Sequence, residues 1–389
     1  MNSTARNNNQ IAETWKRTEM SLAERAAVKH IPLGGIFELT PRCNLRCKMC
    51  YAKLDNHEMD KTGRERTAKE WISLAEEAIA AGTLNLLLTG GEPFIRSDFE
   101  DIYTALANMG FIITINTNAT LMSPRLQKLF QKYPPTAINV TLYGASKDTY
   151  AKVCGNPEAF DQTIRGLELL SEVPTTLEVR TTFIKDNMNE LDELRTIANR
   201  FTKRFAINTN IFKAIRGAHS DAENCRLEPE QIIELVDANK KYYKDHSLKN
   251  GKFIEDFMEK DQNAGTKEHD YNIKPEILPC LAAKSMFWIT WDGKMLPCGT
   301  FSSPFTLPFE EGFKKAWDRL PGLFENIEKP KECLECEDGK DGCSNCPALL
   351  QAETGSFNKT SPYICGITKE IRKKLKEQEK TVDIKSVLC

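Results

Sequence analysis

Three cysteines near the front of the chain, Cys43, Cys47 and Cys50, stand in a C-x3-C-x2-C spacing within Pro-Arg-Cys-Asn-Leu-Arg-Cys-Lys-Met-Cys-Tyr. Three thiolates this close can hold three irons of a cubane 4Fe–4S cluster and leave the fourth iron without a protein ligand. An open iron is a place for a substrate or cofactor to bind, so the triplet reads as a reaction centre. The competing reading is a structural zinc site, which asks for four ligands; the nearest histidine is His57.

The chain has thirteen cysteines, and ten of them fall into this triplet and one rear group of seven. Clustered cysteines in a reducing compartment read as metal or cluster ligands, not disulfides. The rear group runs Cys280, twelve residues, Gly293, four residues, Cys298, then Cys333-x2-Cys336-x6-Cys343-x2-Cys346, and last Cys365. Zinc knuckles are the alternative here too, but no histidine lies among these cysteines; the last in the chain is His269. Cys154, Cys225 and Cys389 stand outside both groups, and Cys154 reads as an ordinary reduced cysteine.

These residues need a scaffold. Strand-like apolar runs at Gly35–Thr40, Leu84–Thr89, Phe111–Asn116, Ala137–Leu142, Thr176–Ile184 and Phe205–Phe212 alternate with helical patterns. Thr67 with Glu70 is a capping box for a helix Ala68–Ala81, and Ser97 with Glu100 reads as a second one. Ser123-Pro124 places proline at a first helical position. Asn189–Arg200, Glu228–Tyr243 and Met20–Val28 read as further helices. Six strand–helix alternations predict a parallel sheet with helices outside, either a doubly wound sheet or a barrel.

Composition sets the outer bounds. The 389 residues predict two or three domains. A hydrophobic fraction of 40% and a charged fraction of 28% describe an ordinary globular chain. The net charge of −2 offers no basic excess for nucleic acid or an acidic membrane surface. No run reaches the roughly 18 apolar residues of a membrane span, and the polar stretch Met1–Gln10 lacks a signal-peptide core. The expected location is cytoplasmic.

With the triplet directly after the first strand and Leu88-Thr89-Gly90-Gly91-Glu92-Pro93 directly after the second, the chain resembles the radical S-adenosylmethionine (SAM) superfamily from about residue 33 to residue 370. The resemblance implies a partial (β/α)6 TIM-like barrel over 33–245, with chemistry at the C-terminal ends of its strands. It implies that the open iron takes the amino and carboxylate groups of SAM, and that one electron splits SAM to a 5′-deoxyadenosyl radical which removes a hydrogen atom from substrate. Gly90, Gly91 and Glu92 match the segment that holds the SAM amino group. Tyr51 matches the aromatic position against adenine. Thr117-Asn118-Ala119-Thr120 resembles the T-N-G-T run, with Ala119 where glycine is usual, which makes Asn118 a candidate. In Val140-Thr141-Leu142-Tyr143-Gly144 the ribose candidate is Thr141. Arg180 is placed to pair with the SAM carboxylate or to lie on the strand surface.

The rear array resembles the SPASM domain, a cysteine-rich extension with two auxiliary 4Fe–4S clusters, although its middle spacers are x6 and x2 where x5 and x3 are usual. The resemblance assigns Cys280, Cys298 and Cys346 to auxiliary cluster I and Cys333, Cys336, Cys343 and Cys365 to auxiliary cluster II. Cys225, a carboxylate or a peptide thiolate is left to close the first. The implied layout is an N-terminal extension to 32, the barrel, a linker over 246–275, the SPASM domain over 276–370 and a C-terminal helix and tail over 371–389. The implied substrate is a peptide, foremost a Cys-containing precursor peptide that receives a thioether or carbon–carbon crosslink, and the implied electron donor is a flavodoxin or ferredoxin. About 32 residues before the first strand are too few for a winged-helix leader-binding domain. Oxidation of a sulfatase Cys or Ser to formylglycine, a small-molecule or tetrapyrrole reaction, and a non-enzymatic iron–sulfur carrier are the alternatives.

Overall fold

The computed structural model describes residues 22–245, 278, 280–337, 343 and 346–378. The expected linker 246–275 and Cys389 lie outside these residues. All six expected strands form: β1 (Gly34–Glu38), β2 (Asn85–Thr89), β3 (Ile112–Thr117), β4 (Ala137–Thr141), β5 (Thr176–Thr182) and β6 (Phe205–Asn208). They pair in parallel in sequence order. Parallel neighbours in sequence order need a crossover helix between each pair. Between them lie α1 (Ala68–Ala80), α2 (Phe99–Asn108), α3 (Pro124–Lys132), α4 (Lys147–Cys154), α5 (Ala159–Ser171) and α6 (Leu191–Ala198), with α7 (Pro229–Asp245) after β6. Residues 22–28 are helical. This is the partial barrel expected from the sequence.

The sheet does not stop at β1. β7 (Met286–Ile289) pairs in parallel with β1, and β8 (Met295–Leu296) pairs antiparallel with β7, so the rear segment extends the barrel sheet. The first part of the expected rear domain therefore shares its backbone hydrogen bonds with the barrel.

Strand alternation separates two faces. Phe37, Leu88, Ile115, Ile138, Val140 and Val179 point to the helix side and are fully buried, against Trp71 of α1, Ile102 of α2 and Leu167 of α5. The other face is polar: Glu38 is opposite Thr89, Asn116 opposite Asn139, Asn139 opposite Glu178, Thr141 opposite Arg180, and Thr182 opposite Asn208. Apolar burial holds the helices on, and the polar rows line the face that the helices leave open.

The Thr67–Glu70 capping box forms in both directions, and Ser123 caps α3 with Pro124 at its first position. The second expected capping box does not form. The cap of α2 is Asp98, with no side-chain cap bond, and Glu100 instead pairs with Arg125 at 2.6 Å. Four strands end earlier than expected, at Glu38, Thr141, Thr182 and Asn208, and in the last two asparagines take the backbone. The Asn187 side chain accepts from Ile184 N at 2.8 Å and donates to Thr182 O at 3.1 Å, stopping β5. Asn208 accepts from Asn210 N at 3.0 Å, which turns the chain after β6.

Candidate active site

The cysteine triplet lies on the loop after β1, and its sulfurs are already surrounded by donors. Leu45 N donates to Cys43 Sγ at 3.4 Å and Lys53 N to Cys50 Sγ at 3.4 Å. The Asn118 amide donates to Cys43 Sγ at 3.7 Å and to Asn44 Oδ1 at 3.1 Å. Burial pushes the Cys43 thiol up to about 12, with Cys47 and Cys50 adding to the effect; burial also raises Cys50. Cys47 is raised well above its ordinary value, by a hydrogen bond with Cys154 and then by burial. Thiols this hard to ionise stay protonated until a cation displaces the proton. Three mutually interacting, half-buried thiols, two of them with N–H donors to their sulfurs, fit an iron–sulfur cluster.

The two glycines after β2 do something the sequence did not reveal. A Cβ on Gly90 would stand 2.4 Å from Thr40 O, and one on Gly91 would stand 2.3 Å from Arg42 O. Gly91 N donates to Thr40 O at 2.7 Å and Glu92 N to Arg42 O at 2.9 Å. The glycines bring this turn against the backbone leading into Cys43. Arg96 adds a second tie, donating to Leu39 O at 2.8 Å while paired with Asp98 at 2.7 Å.

Glu92 is completely buried. Its Oε1 accepts from Thr117 Oγ1 at 2.8 Å and Phe94 N at 3.1 Å, and its Oε2 accepts from Asn118 N at 2.7 Å. Burial outweighs these donors and pushes the carboxyl up to about 7. The side chain thus clasps the loops after β2 and β3, with acceptor capacity left on Oε2.

The remaining SAM candidates fall in two places. Thr141 lies at the end of β4 on the polar face, opposite Arg180. Arg180 is exposed on that same face and paired with Glu178 at 2.5 Å. Tyr51 packs on Phe212 with ring centroids 5.1 Å apart. Burial raises its hydroxyl, and both Cys50 and Cys298 contribute, so Tyr51 lies between the front triplet and the rear array. Ala119 adopts a left-handed φ of 58°, which is why glycine suits that position. Left-handed geometry costs an L-residue roughly 1–2 kcal/mol, partly offset by the greater freedom glycine loses on folding. Ala119→Gly is expected to raise stability by about 0.5–1 kcal/mol in chemical denaturation; a loss of stability would contradict this.

Three groups escaped the sequence reading. Glu38 is 2% exposed and accepts from Arg216 and from Trp288 Nε1, both at 2.8 Å. Arg216, itself at a φ of 54°, also donates to Gly299 O at 2.7 Å, which joins β1 to the residues beside Cys298. An acid in the otherwise apolar run Gly34–Glu38 was the available signal. Tyr143 was passed over for Thr141, yet its surroundings include Cys47, Cys154, Cys43 and Cys50. Cys154 was read as an ordinary core cysteine.

The rear cysteines gather into two sets. Cys346 is raised to about 12, by burial first, with Cys298 and Cys280 contributing; Cys298 is raised by burial, with Cys280 contributing. Cys333 is raised to about 11, by burial first, with Cys365, Cys343 and Cys336 contributing. Thr368 Oγ1 donates to Cys343 Sγ at 3.5 Å. Cys225 joins neither set. Its Sγ donates to Ala222 O at 3.7 Å, and the charges around it are Asp221, Asp186 and Lys48. Among the described residues no His, Cys, Asp and Glu side chains form a group arranged for a single metal ion. Thiolates around four irons stand wider apart than those around one.

Comparison with known proteins agrees with this geometry. The radical SAM superfamily profile matches residues 37–197. The AdoMet-dependent heme synthase of Methanosarcina barkeri is 26% identical over 87% of this chain and 97% of its own. The PqqA peptide cyclase of Methylorubrum populi is 25% identical over 85% of this chain and 84% of its own. Streptococcus suis SuiB has the same fold: bound to S-adenosylmethionine it superposes with a TM-score of 0.65 at 19% identity, covering 91% of this chain and 82% of that one. Residues 37–197 are a radical SAM domain.

Proposed function

We propose that this enzyme cleaves SAM at the front triplet and modifies a peptide, with two auxiliary clusters of SPASM type in its rear segment. Cys43, Cys47 and Cys50 would hold the first 4Fe–4S cluster, Cys280, Cys298 and Cys346 auxiliary cluster I, and Cys333, Cys336, Cys343 and Cys365 auxiliary cluster II. Loaded, the front cluster supplies the electron that breaks the sulfonium bond of SAM. The chain's own contribution is positioning: the Gly90–Gly91 turn and the Glu92 clasp fix the loops around the triplet, and the polar face of the sheet offers Thr141 and Arg180 to SAM and the remaining rows to substrate.

The observation that carries the reading is the division of seven rear thiols into three and four. A cubane asks for four ligands, so the set of three leaves one position for a thiolate from outside the chain, as an enzyme acting on a Cys-containing peptide requires. The relatives named PqqA peptide cyclase and the SuiB structure bound to precursor peptide SuiA support a peptide substrate. No helix of the described residues is long and apolar enough to cross a membrane.

A tetrapyrrole substrate is the second reading, favoured by the heme synthase likeness over nearly the whole of both chains. One assay separates them. The reduced, reconstituted protein is given SAM together with either a Cys-containing peptide encoded beside its gene or Fe-coproporphyrin III. The peptide reading predicts 5′-deoxyadenosine formation coupled to loss of hydrogen mass from the peptide. It also predicts that the peptide, but not its Cys→Ser form, changes the spectrum of auxiliary cluster I, and that Cys225→Ala leaves that spectrum unchanged. Turnover of the porphyrin with the peptide untouched would overturn it.

A further inference from the structure

β6 and β8 are the two edges of the sheet, so among the described residues no strand pairing closes the barrel. One side chain spans the gap. Arg216 lies on the segment that leaves β6. Its guanidinium donates to Gly299 O at 2.7 Å and to Phe301 O at 3.4 Å, on the segment that leaves β8. The same group donates to Glu38 Oε2 at 2.8 Å, at the end of β1. Trp288 Nε1 donates to that oxygen too, at 2.8 Å, and a Cβ on Gly299 would stand 2.6 Å from the Trp288 ring. Glu38, Trp288, Gly299 and Arg216 thus form a closed circuit, linked by hydrogen bonds except where Gly299 packs on the tryptophan.

The circuit is buried. The Arg216 side chain is 11% exposed and that of Glu38 2%, so solvent screens their charges little. Arg216 holds a left-handed φ of 54°, and Gly217 follows at 84°. Glycine takes such a backbone freely. An arginine there is strained, and strain of this kind points to a role for the side chain.

A cysteine of each set adjoins the circuit. Gly299 follows Cys298 in the chain, and Phe301 N donates to Cys298 O at 3.3 Å. Tyr51 follows Cys50. Ile215 N donates to Tyr51 O at 3.2 Å, and the guanidinium carbon lies 6.0 Å from the centre of the Tyr51 ring. The ion pair is not symmetric about the rear set: the cation bonds the Cys298 segment, while the carboxylate sits on β1. Charge is one of the controls on the potential of an iron–sulfur centre. A cation nearby favours the reduced state, because reduction adds negative charge.

We propose that Arg216 is a positioning residue that closes the barrel beside the triplet and sets the charge at auxiliary site I, with Glu38 as its counterion. The proposal rests on the reading of Cys280, Cys298 and Cys346 as a cluster site.

The test uses the full-length chain, reconstituted anaerobically and followed by EPR during a redox titration. The front cluster is recognised by the change in its signal when SAM is added. Arg216→Met removes the cation, and is expected to lower the midpoint of one rear cluster and leave the other in place. Glu38→Gln keeps an acceptor for Trp288 and leaves the cation unbalanced, so it is expected to raise that same midpoint. A pair that only held the fold together would not give shifts of opposite sign. Unchanged rear midpoints in whichever variant loads iron overturn the proposal, as do shifts of the same sign in both.

Should neither variant load iron, the loaded wild-type protein decides, with the arginine reagent phenylglyoxal and mapping of the modified residues. Reaction at Arg216 much slower than at Arg180, whose side chain is 44% exposed, supports the joint, and equal rates overturn it. A wild-type protein that binds no iron at the rear set of three would instead overturn the underlying reading, and the phenylglyoxal map would still report on the joint.

Discussion

Replacing Cys43, Cys47 and Cys50 together with alanine is expected to abolish 5′-deoxyadenosine formation and to leave about two thirds of the iron, by the four-iron stoichiometry of each cubane. The barrel should still fold. The triplet lies on a loop, while the sheet beneath is held by apolar burial on its helix side, from Phe37 and Leu88 to Val179. Far-UV circular dichroism and the rear-cluster spectrum should therefore survive. SAM cleavage persisting in this variant would move the reaction centre elsewhere.

The second large effect is expected at Glu92. Its carboxylate serves three donors, two of them backbone N–H groups. Leaving a buried donor unpaired costs roughly 1–3 kcal/mol, so Glu92→Ala is expected to destabilise the protein by about 3 kcal/mol or more, and to weaken SAM binding because the loops after β2 and β3 lose their clasp. Glu92→Gln keeps an acceptor oxygen and should cost less. The pH dependence gives a separate signature. The folded-state carboxyl titrates near 7, above its ordinary 4.5, so the folded chain holds this proton longer than the unfolded one. Stability from this group is complete below about 4.5 and falls as pH rises towards 7, by roughly 3 kcal/mol in all. Denaturation of the iron-free chain should show that slope, and Glu92→Gln should lack it. Equal slopes in the two proteins would mean that Glu92 is not the group responsible.

The sequence carried the strands well because they are written in local patterns. Short apolar runs bounded by turn residues are strong signals, and cysteine spacing is explicit. What it could not carry depends on approach between distant segments. That Gly90 and Gly91 serve close packing against Thr40 and Arg42 requires knowing that two loops meet. The pairing of Glu38 with Arg216 and Trp288 spans 178 and 250 residues. Cys154 was dismissed since a solitary buried cysteine carries no spacing signal, and only the backbone bonds from Arg46 N to Cys154 O and from Lys48 N to Val153 O bring the end of its helix to the triplet loop. Cys225 was a candidate from arithmetic alone, and the charged groups around it are Asp221, Asp186 and Lys48. β7 and β8 went unread because Met286–Ile289 and Met295–Leu296 are too short to show a period.

The joint made by Glu38, Arg216 and Gly299 gives the fold a functional logic. It fastens the strand that leads into the front triplet to the residues beside Cys298, with Tyr51 packed between the two sets. Rear and front segments share one sheet, so their thiol sets are positioned by the same backbone.

The proposed function needs ten thiols organised as three cluster sites. The direct measurement is the iron and acid-labile sulfide content of the anaerobically reconstituted full-length protein. Three cubanes predict about twelve irons and about twelve sulfides per chain. Tightly bound zinc with little sulfide, or iron that stops at about four, would contradict it.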